Sequence, residues 1–185
     1  MATEHGPAIE PGREWTSPRT GAIARVIELD GRAVAEFVSP PGTGKAGGHL
    51  HRDFDQRFEV LEGQMRVRMG GEPERTLAAG EHVDIPCGIP HQDPWNESDR
   101  PATWRISITP TTPFVRIFIA TYGELLAAGK LNDQETFTFL QLMAVLRAGR
   151  ADSWAEGIPI AFQRPLIPAA AALARLRGIR PVLAP

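Results

Sequence analysis

GHLHRDFDQRFEVLEG, residues 48–63, sets two histidines two positions apart, then a glutamine, then an alternating apolar run closed by glycine. Side chains alternate between the faces of an extended strand, so the imidazoles of His49 and His51 point the same way. The same parity puts Phe58 and Val60 on the face that carries Gln56. A second block, GEHVDIPCGIPHQDPWN, runs from Gly80 to Asn96 and holds a third histidine, His91, just past the turn Pro86-Cys87-Gly88. Asp93 and Trp95 share the face of His91 by parity, and Trp104 lies on a later strand where it could point inward.

Around these blocks, from about residue 20 to 120, glycine and proline punctuate short segments rich in Val, Ile, Phe and Thr. They are AIARVIEL, RAVAEFVS, QRFEVLEG, QMRVRMGG, EHVDIP, TWRISITP and FVRIFIAT. Short alternating strands bounded by turn residues read as an all-β sandwich or barrel. Leu61 to Met65 reads as a tight hairpin, with Gly63 free to take the positive φ such a turn needs. Met65, Val67 and Met69 alternate with Arg66 and Arg68, one face for the core and one for water.

After about residue 120 the pattern becomes helical. Asn132, with Glu135 three residues on, predicts a helix start, and FTFLQLMAVLRAG carries apolar residues at helical spacing to Arg147 and Gly149. A second short helix is expected between Pro168 and Gly178. The chain then divides into a flexible N-terminal segment over 1–19, a β-barrel over 20–120 and a helical extension over 121–185. The tail helices could cover an edge or open end of the barrel, form a dimer contact, or close as a lid over the site.

Bulk properties exclude several classes. A chain of 185 residues with 42% hydrophobic and 23% charged residues suits one globular domain with some additions. The formal net charge is −2, with acids and bases interspersed, which argues against a nucleic-acid partner. No run of 18 apolar residues occurs and the first residues carry acids, so neither a membrane span nor a secretory signal is expected. LIPAAAALARLRGIRP is short, with three basic residues, and reads poorly as a membrane-surface helix. The single cysteine, Cys87, forbids an internal disulfide and fits a reducing, cytoplasmic setting.

The two histidine blocks resemble the two sequence motifs of the cupin superfamily, over roughly residues 20 to 120. The first motif is glycine, His-x-His, an acidic or amide residue and a further glycine; the second is Gly, Pro-x-Gly, His and Asn. The resemblance implies an all-β double-stranded β-helix, or jelly-roll, with C-terminal α-helices added here. It also implies a metal inside the barrel at the positions of His49, His51, Gln56 and His91. The chain departs from the pattern at Gln56, where glutamate is usual, at Thr43 for the leading glycine, and at Trp95, with Asn96 one residue late.

Three imidazoles and one oxygen donor suit one divalent transition metal, among Zn, Fe, Ni, Mn and Cu, and spacing does not choose between them. With a neutral amide as fourth ligand the ion would keep its full +2 charge, a strong Lewis acid for an anionic, oxygen-chelating substrate. Gln56 either ligates through its oxygen or holds a metal-bound water. Asp93 is the carboxylate that could act as base, and Phe58, Trp95 and Trp104 would suit an aromatic or polyketide-like small molecule. His82 is out of phase, and Cys87 has no activating neighbour.

The resemblance therefore implies a metal-dependent enzyme. Its reaction would be isomerisation, cyclisation or, as in the quercetin-dioxygenase-like cupins, oxygen-dependent cleavage. It also implies a homodimer. The alternative is a non-catalytic ligand-binding or sensing module.

Overall fold

The computed structural model describes residues 9–183. The strands are β1 Glu14–Thr16, β2 Ile23–Glu28, β3 Ala33–Ser39, β4 His49–His51, β5 Asp55–Glu62 and β6 Gln64–Met69. After them come β7 Arg75–Ala78, β8 His82–Ile85, β9 His91–Trp95 and β10 Ala102–Thr109. Helices α1 Pro113–Ala127 and α2 Phe139–Gly149, strand β11 Ser153–Ala155 and helix α3 Ile160–Leu176 complete the chain.

Two sheets form a jelly-roll, one ordered β1-β2-β3-β10-β5-β8 and the other β11-β4-β9-β6-β7. Between them Phe58, Val60, Met65, Val67, Leu77, Val83, Ile85 and Ala102 make one apolar cluster. These come from β5, β6, β7, β8 and β10, where inward apolar residues alternate with outward polar ones as a half-buried strand requires. A second cluster lies between the six-stranded sheet and the helices, and includes Trp15, Val26, Phe54, Ile108, Phe114, Val115 and Val145.

The expected hairpin at Gly63 is instead a corner. β5 pairs with β10 and β8, whereas β6 pairs with β9 and β7, so the chain leaves one sheet and enters the other at Gly63. Gly63 has φ 77°, and a Cβ there would stand 3.0 Å from the Pro101 carbonyl oxygen, so both backbone angle and space select glycine.

FVRIFIAT, expected as a strand, is the start of α1. Pro113 opens the helix, and the Thr112 hydroxyl accepts the Val115 amide at 3.3 Å, satisfying one of the donors that a first turn leaves free. A run of apolar and β-branched residues fits a buried strand or a buried helix, and here the cap decides. The helix start expected at Asn132 also moves. Its side chain accepts the amides of Gln134 and Thr136, closing a turn in which Glu135 takes φ 53°. α2 begins only after Thr138, whose amide donates to Gln141 Oε1 at 2.8 Å. α3 begins eight residues before Pro168, and Gly178 (φ 75°) follows its end.

Of the N-terminal segment expected to be loose, residues 1–8 lie outside the described residues. Glu14–Thr16 pairs with β2, and Trp15 is buried against α1 at Gly123, with its indole donating to Glu124 at 2.9 Å. Among the described residues no helix is long and apolar enough to cross a membrane.

Candidate metal centre

β4 and β9 lie side by side with His49 opposite His91, and two-residue periodicity carries His51 to the same side. One ligating nitrogen from each of His49, His51 and His91 falls within 4.8 Å of the other two. His51 and His91 are buried, and His49 is partly open to solvent.

The other ring nitrogens are already engaged. His49 Nδ1 lies 2.9 Å from the Gly47 carbonyl oxygen, His91 Nδ1 lies 2.9 Å from that of Ile89, and His51 Nδ1 lies 2.6 Å from the Ser153 hydroxyl. A carbonyl only accepts, so in neutral His49 and His91 the proton sits on Nδ1 and Nε2 offers its lone pair. This arrangement orients imidazoles for a metal. His91 Nε2 is buried and has no hydrogen-bond partner.

Burial, and after it the neighbouring His49, pushes His51 well below the ordinary imidazole pKa, so His51 is held neutral. For His91, burial also disfavours the charged form, but the Asp93 carboxylate outweighs it and raises the pKa. Burial likewise opposes ionisation of Asp93, and His49 and His91 more than offset that, leaving its carboxyl below the ordinary carboxylate range.

The family model described as a cupin domain matches residues 35–109, β3 to β10, spanning both histidine blocks. Residues 35–109 are a cupin domain. Comparison with curated proteins finds no match. Among solved structures, a cupin-2 domain-containing protein from Shewanella frigidimarina is 30% identical, with 47% of this chain and 78% of that one covered and a TM-score of 0.39. A sugar phosphate isomerase of the cupin superfamily from Silicibacter pomeroyi is 21% identical, with 55% and 72% covered and a TM-score of 0.46. The cupin domain of an XRE-family transcriptional regulator from Enterobacter cloacae is 19% identical, with 48% and 95% covered and a TM-score of 0.40.

Within this cupin fold the remaining expected residues fall differently. Gln56 is buried on β5, opposite Ile85 and Ile108, in line with Phe58 and Val60. Phe58 is fully buried with its ring centre 6.4 Å from that of His91, and Trp104 packs edge-on to Phe58 at 5.9 Å. Trp104 also stacks on Phe37 and donates to Ser39. Arg105, on the other face of β10, pairs with Glu36 and Glu59. His82 is exposed beside Asp84, and Cys87 is exposed in its turn.

Trp95 departs from the parity argument. Met69 stands opposite His91 and Arg68 opposite Gln92, but Arg66 stands opposite Trp95, so β9 spends one extra residue around Asp93 and Pro94. This irregularity turns Trp95 to the side of Arg66, away from Met65 and Val67. The indole is buried there, and Lys45 lies 4.8 Å above its ring centre. It belongs to neither apolar cluster around the histidines.

Three contacts escaped sequence reasoning. β11 pairs with β4, placing Ser153 opposite His51 and Ala155 opposite His49. Phe54 tilts against His51 at 4.3 Å between ring centres, and Phe114 of α1 stands 6.2 Å from it. Arg68 reaches from β6 to Glu156, just past β11, and ties the two sides of that sheet together. No motif marks Ser153, because its role exists only once the extension folds back onto β4.

Proposed function

We propose that this cupin is a metal-dependent small-molecule enzyme in which His49, His51 and His91 hold one divalent transition metal, with Gln56 as the fourth position implied by the family motif. The observation that carries the reading is the convergence of three imidazoles whose Nδ1 atoms are committed to protein partners while one Nε2 is buried without any. When bound, the ion would supply Lewis-acid activation of an oxygen-chelating substrate. Phe58 forms the dry wall beside His91, with Trp104 behind it, and Phe54 and Phe114 form the wall beside His51. These walls suit a planar, partly apolar substrate, and they limit water around the reacting atoms. His49 marks the side open to solvent.

The test is elemental analysis of tag-free protein, followed by incubation of the metal-loaded protein with enolic, β-diketone and phenolic compounds under argon and under air. About one equivalent of metal, lost in His51→Ala, and product under argon support isomerase or cyclase chemistry. Turnover that needs air replaces it with oxygen-dependent cleavage. Saturable ligand binding with no conversion in either atmosphere overturns the enzyme reading in favour of a binding module.

A further inference from the structure

Helix α3 has two sides of use, and the fold covers one of them. Gln163, Ala170 and Ala174 are buried, with Ile167 packed against the core beside them. Gln163 fixes this side to β11. Its amide nitrogen donates to the Ala155 and Ile158 carbonyls at 3.0 and 2.7 Å, and its oxygen accepts the Ala155 amide at 2.8 Å. These bonds hold the helix in one rotation, so its other side stays outward. There Phe162 is 72% exposed, Leu166 48%, Leu173 43% and Leu176 86%, and Ile158, just ahead of the helix, 52%. Single exposed apolar residues are ordinary, but a contiguous row of large ones marks an interaction surface.

The row has the form of a helix-pairing seam. Phe162, Leu166, Ala169, Leu173 and Leu176 follow one another at alternating steps of four and three residues, the spacing at which helices interlock. The row also reads nearly alike from either end. Ala169 is central, Leu166 and Leu173 flank it, and Phe162 and Leu176 stand equally far to either side. A surface that matches its own reverse suits a two-fold axis, across which one patch meets itself. A small residue at the crossing lets two helix axes approach to about 8 Å. The five large residues together expose about three whole side chains. At roughly 150–250 Å² for each large side chain, two facing copies would bury on the order of 1,000 Å², the area a specific interface has to clear.

Charge sets the direction of pairing. From Gly157 onward the chain holds Arg164, Arg175, Arg177 and Arg180 and no acid. A parallel pair would gather the arginines at the end of α3 from both copies, whereas an antiparallel pair sends them to opposite ends. Arg164 and Arg175 lie about 140–160° around the helix from the row, at about 100° per residue, so they point away from whatever covers it. That arrangement suits a protein face better than an anionic lipid surface, which basic residues flanking the row would grip.

We propose that α3 is a dimer interface for a second copy of this chain. The two helices pair antiparallel about a two-fold axis at Ala169, with Phe162 against the partner's Leu176 and Leu166 against the partner's Leu173. The interface lies outside the matched cupin domain and does not depend on the metal reading.

The test is sedimentation velocity of the tag-free full chain at micromolar concentration, where wild type should be a dimer. Leu166→Glu combined with Leu173→Glu should raise the dimer dissociation constant at least a hundredfold, since carboxylates would be buried in an apolar seam, while circular dichroism stays unchanged. Leu166→Ala combined with Leu173→Ala serves if that variant does not fold, and should weaken the dimer at least tenfold. On a Cys87→Ser background, Ala169→Cys should cross-link under mild oxidation and Phe162→Cys should not, as antiparallel pairing requires. Phe162→Cys that cross-links as readily as Ala169→Cys overturns the antiparallel pairing. A dimer that both double variants leave intact overturns the assignment to α3. Wild type that stays monomeric overturns the proposal, and if that monomer floats with phosphatidylglycerol vesicles, a membrane surface replaces the second copy.

Discussion

Ser153→Ala probes how the C-terminal extension serves the centre. Ser153 is 4% exposed, and its hydroxyl sits 2.6 Å from Nδ1 of His51, which is 9% exposed. Deleting the hydroxyl leaves a buried imidazole nitrogen unpartnered, at a cost of about 1–3 kcal/mol. Separately, loss of an outer partner to a metal-binding histidine typically weakens the metal about 10–100-fold, or about 1.4–2.7 kcal/mol. The expected outcome is a metal dissociation constant raised within that range and an apo protein that melts a few degrees lower. Competition titration against a chromogenic chelator reads the first, and calorimetry the second. Ser153→Thr keeps the hydroxyl and should restore most of the affinity. Metal affinity within twofold of wild type in Ser153→Ala, with His51→Ala unable to bind, would refute an orienting role for this hydroxyl.

Three further outcomes follow from the same geometry. Ending the chain after Gly149 removes β11 and α3, including the strand that borders β4. Metal affinity should fall further than in Ser153→Ala, and a truncated protein that folds and binds normally would show β11 to be dispensable. Gly123→Ala would bring a Cβ within 2.3–2.5 Å of three ring carbons of Trp15, and overpacking of this kind costs about 1–3 kcal/mol, measurable by urea denaturation. His82→Ala, on the exposed face of β8, should leave metal stoichiometry at the wild-type value, as elemental analysis would show.

The strand pattern and the histidine spacing were legible in the sequence because both follow from two-residue periodicity. His49 and His51 need only an extended backbone to share a face, and alternation in QMRVRM places Met65 and Val67 inside with no knowledge of partners. Where the pattern is compatible with two outcomes, local signals misled. FVRIFIAT is apolar enough for either element, and the Thr112 cap made it a helix. Gly63 had the backbone freedom of a hairpin turn, yet the strands on either side belong to different sheets.

By itself, then, the sequence determined the elements whose logic is local: alternating strands, the positive-φ glycine at a turn, and three imidazoles on strands of the jelly-roll. Only the tertiary structure decided which side chains meet. Ser153 and His51 are far apart in the chain and touch because β11 adds to the edge of β4. Trp95 leaves the site because one extra residue in β9 breaks the parity on which counting depends, while Asp93 keeps the face of His91 that parity gave it. Strand pairing, and the bulges that shift it, are settled by contacts between distant segments, and no local window of residues carries that information.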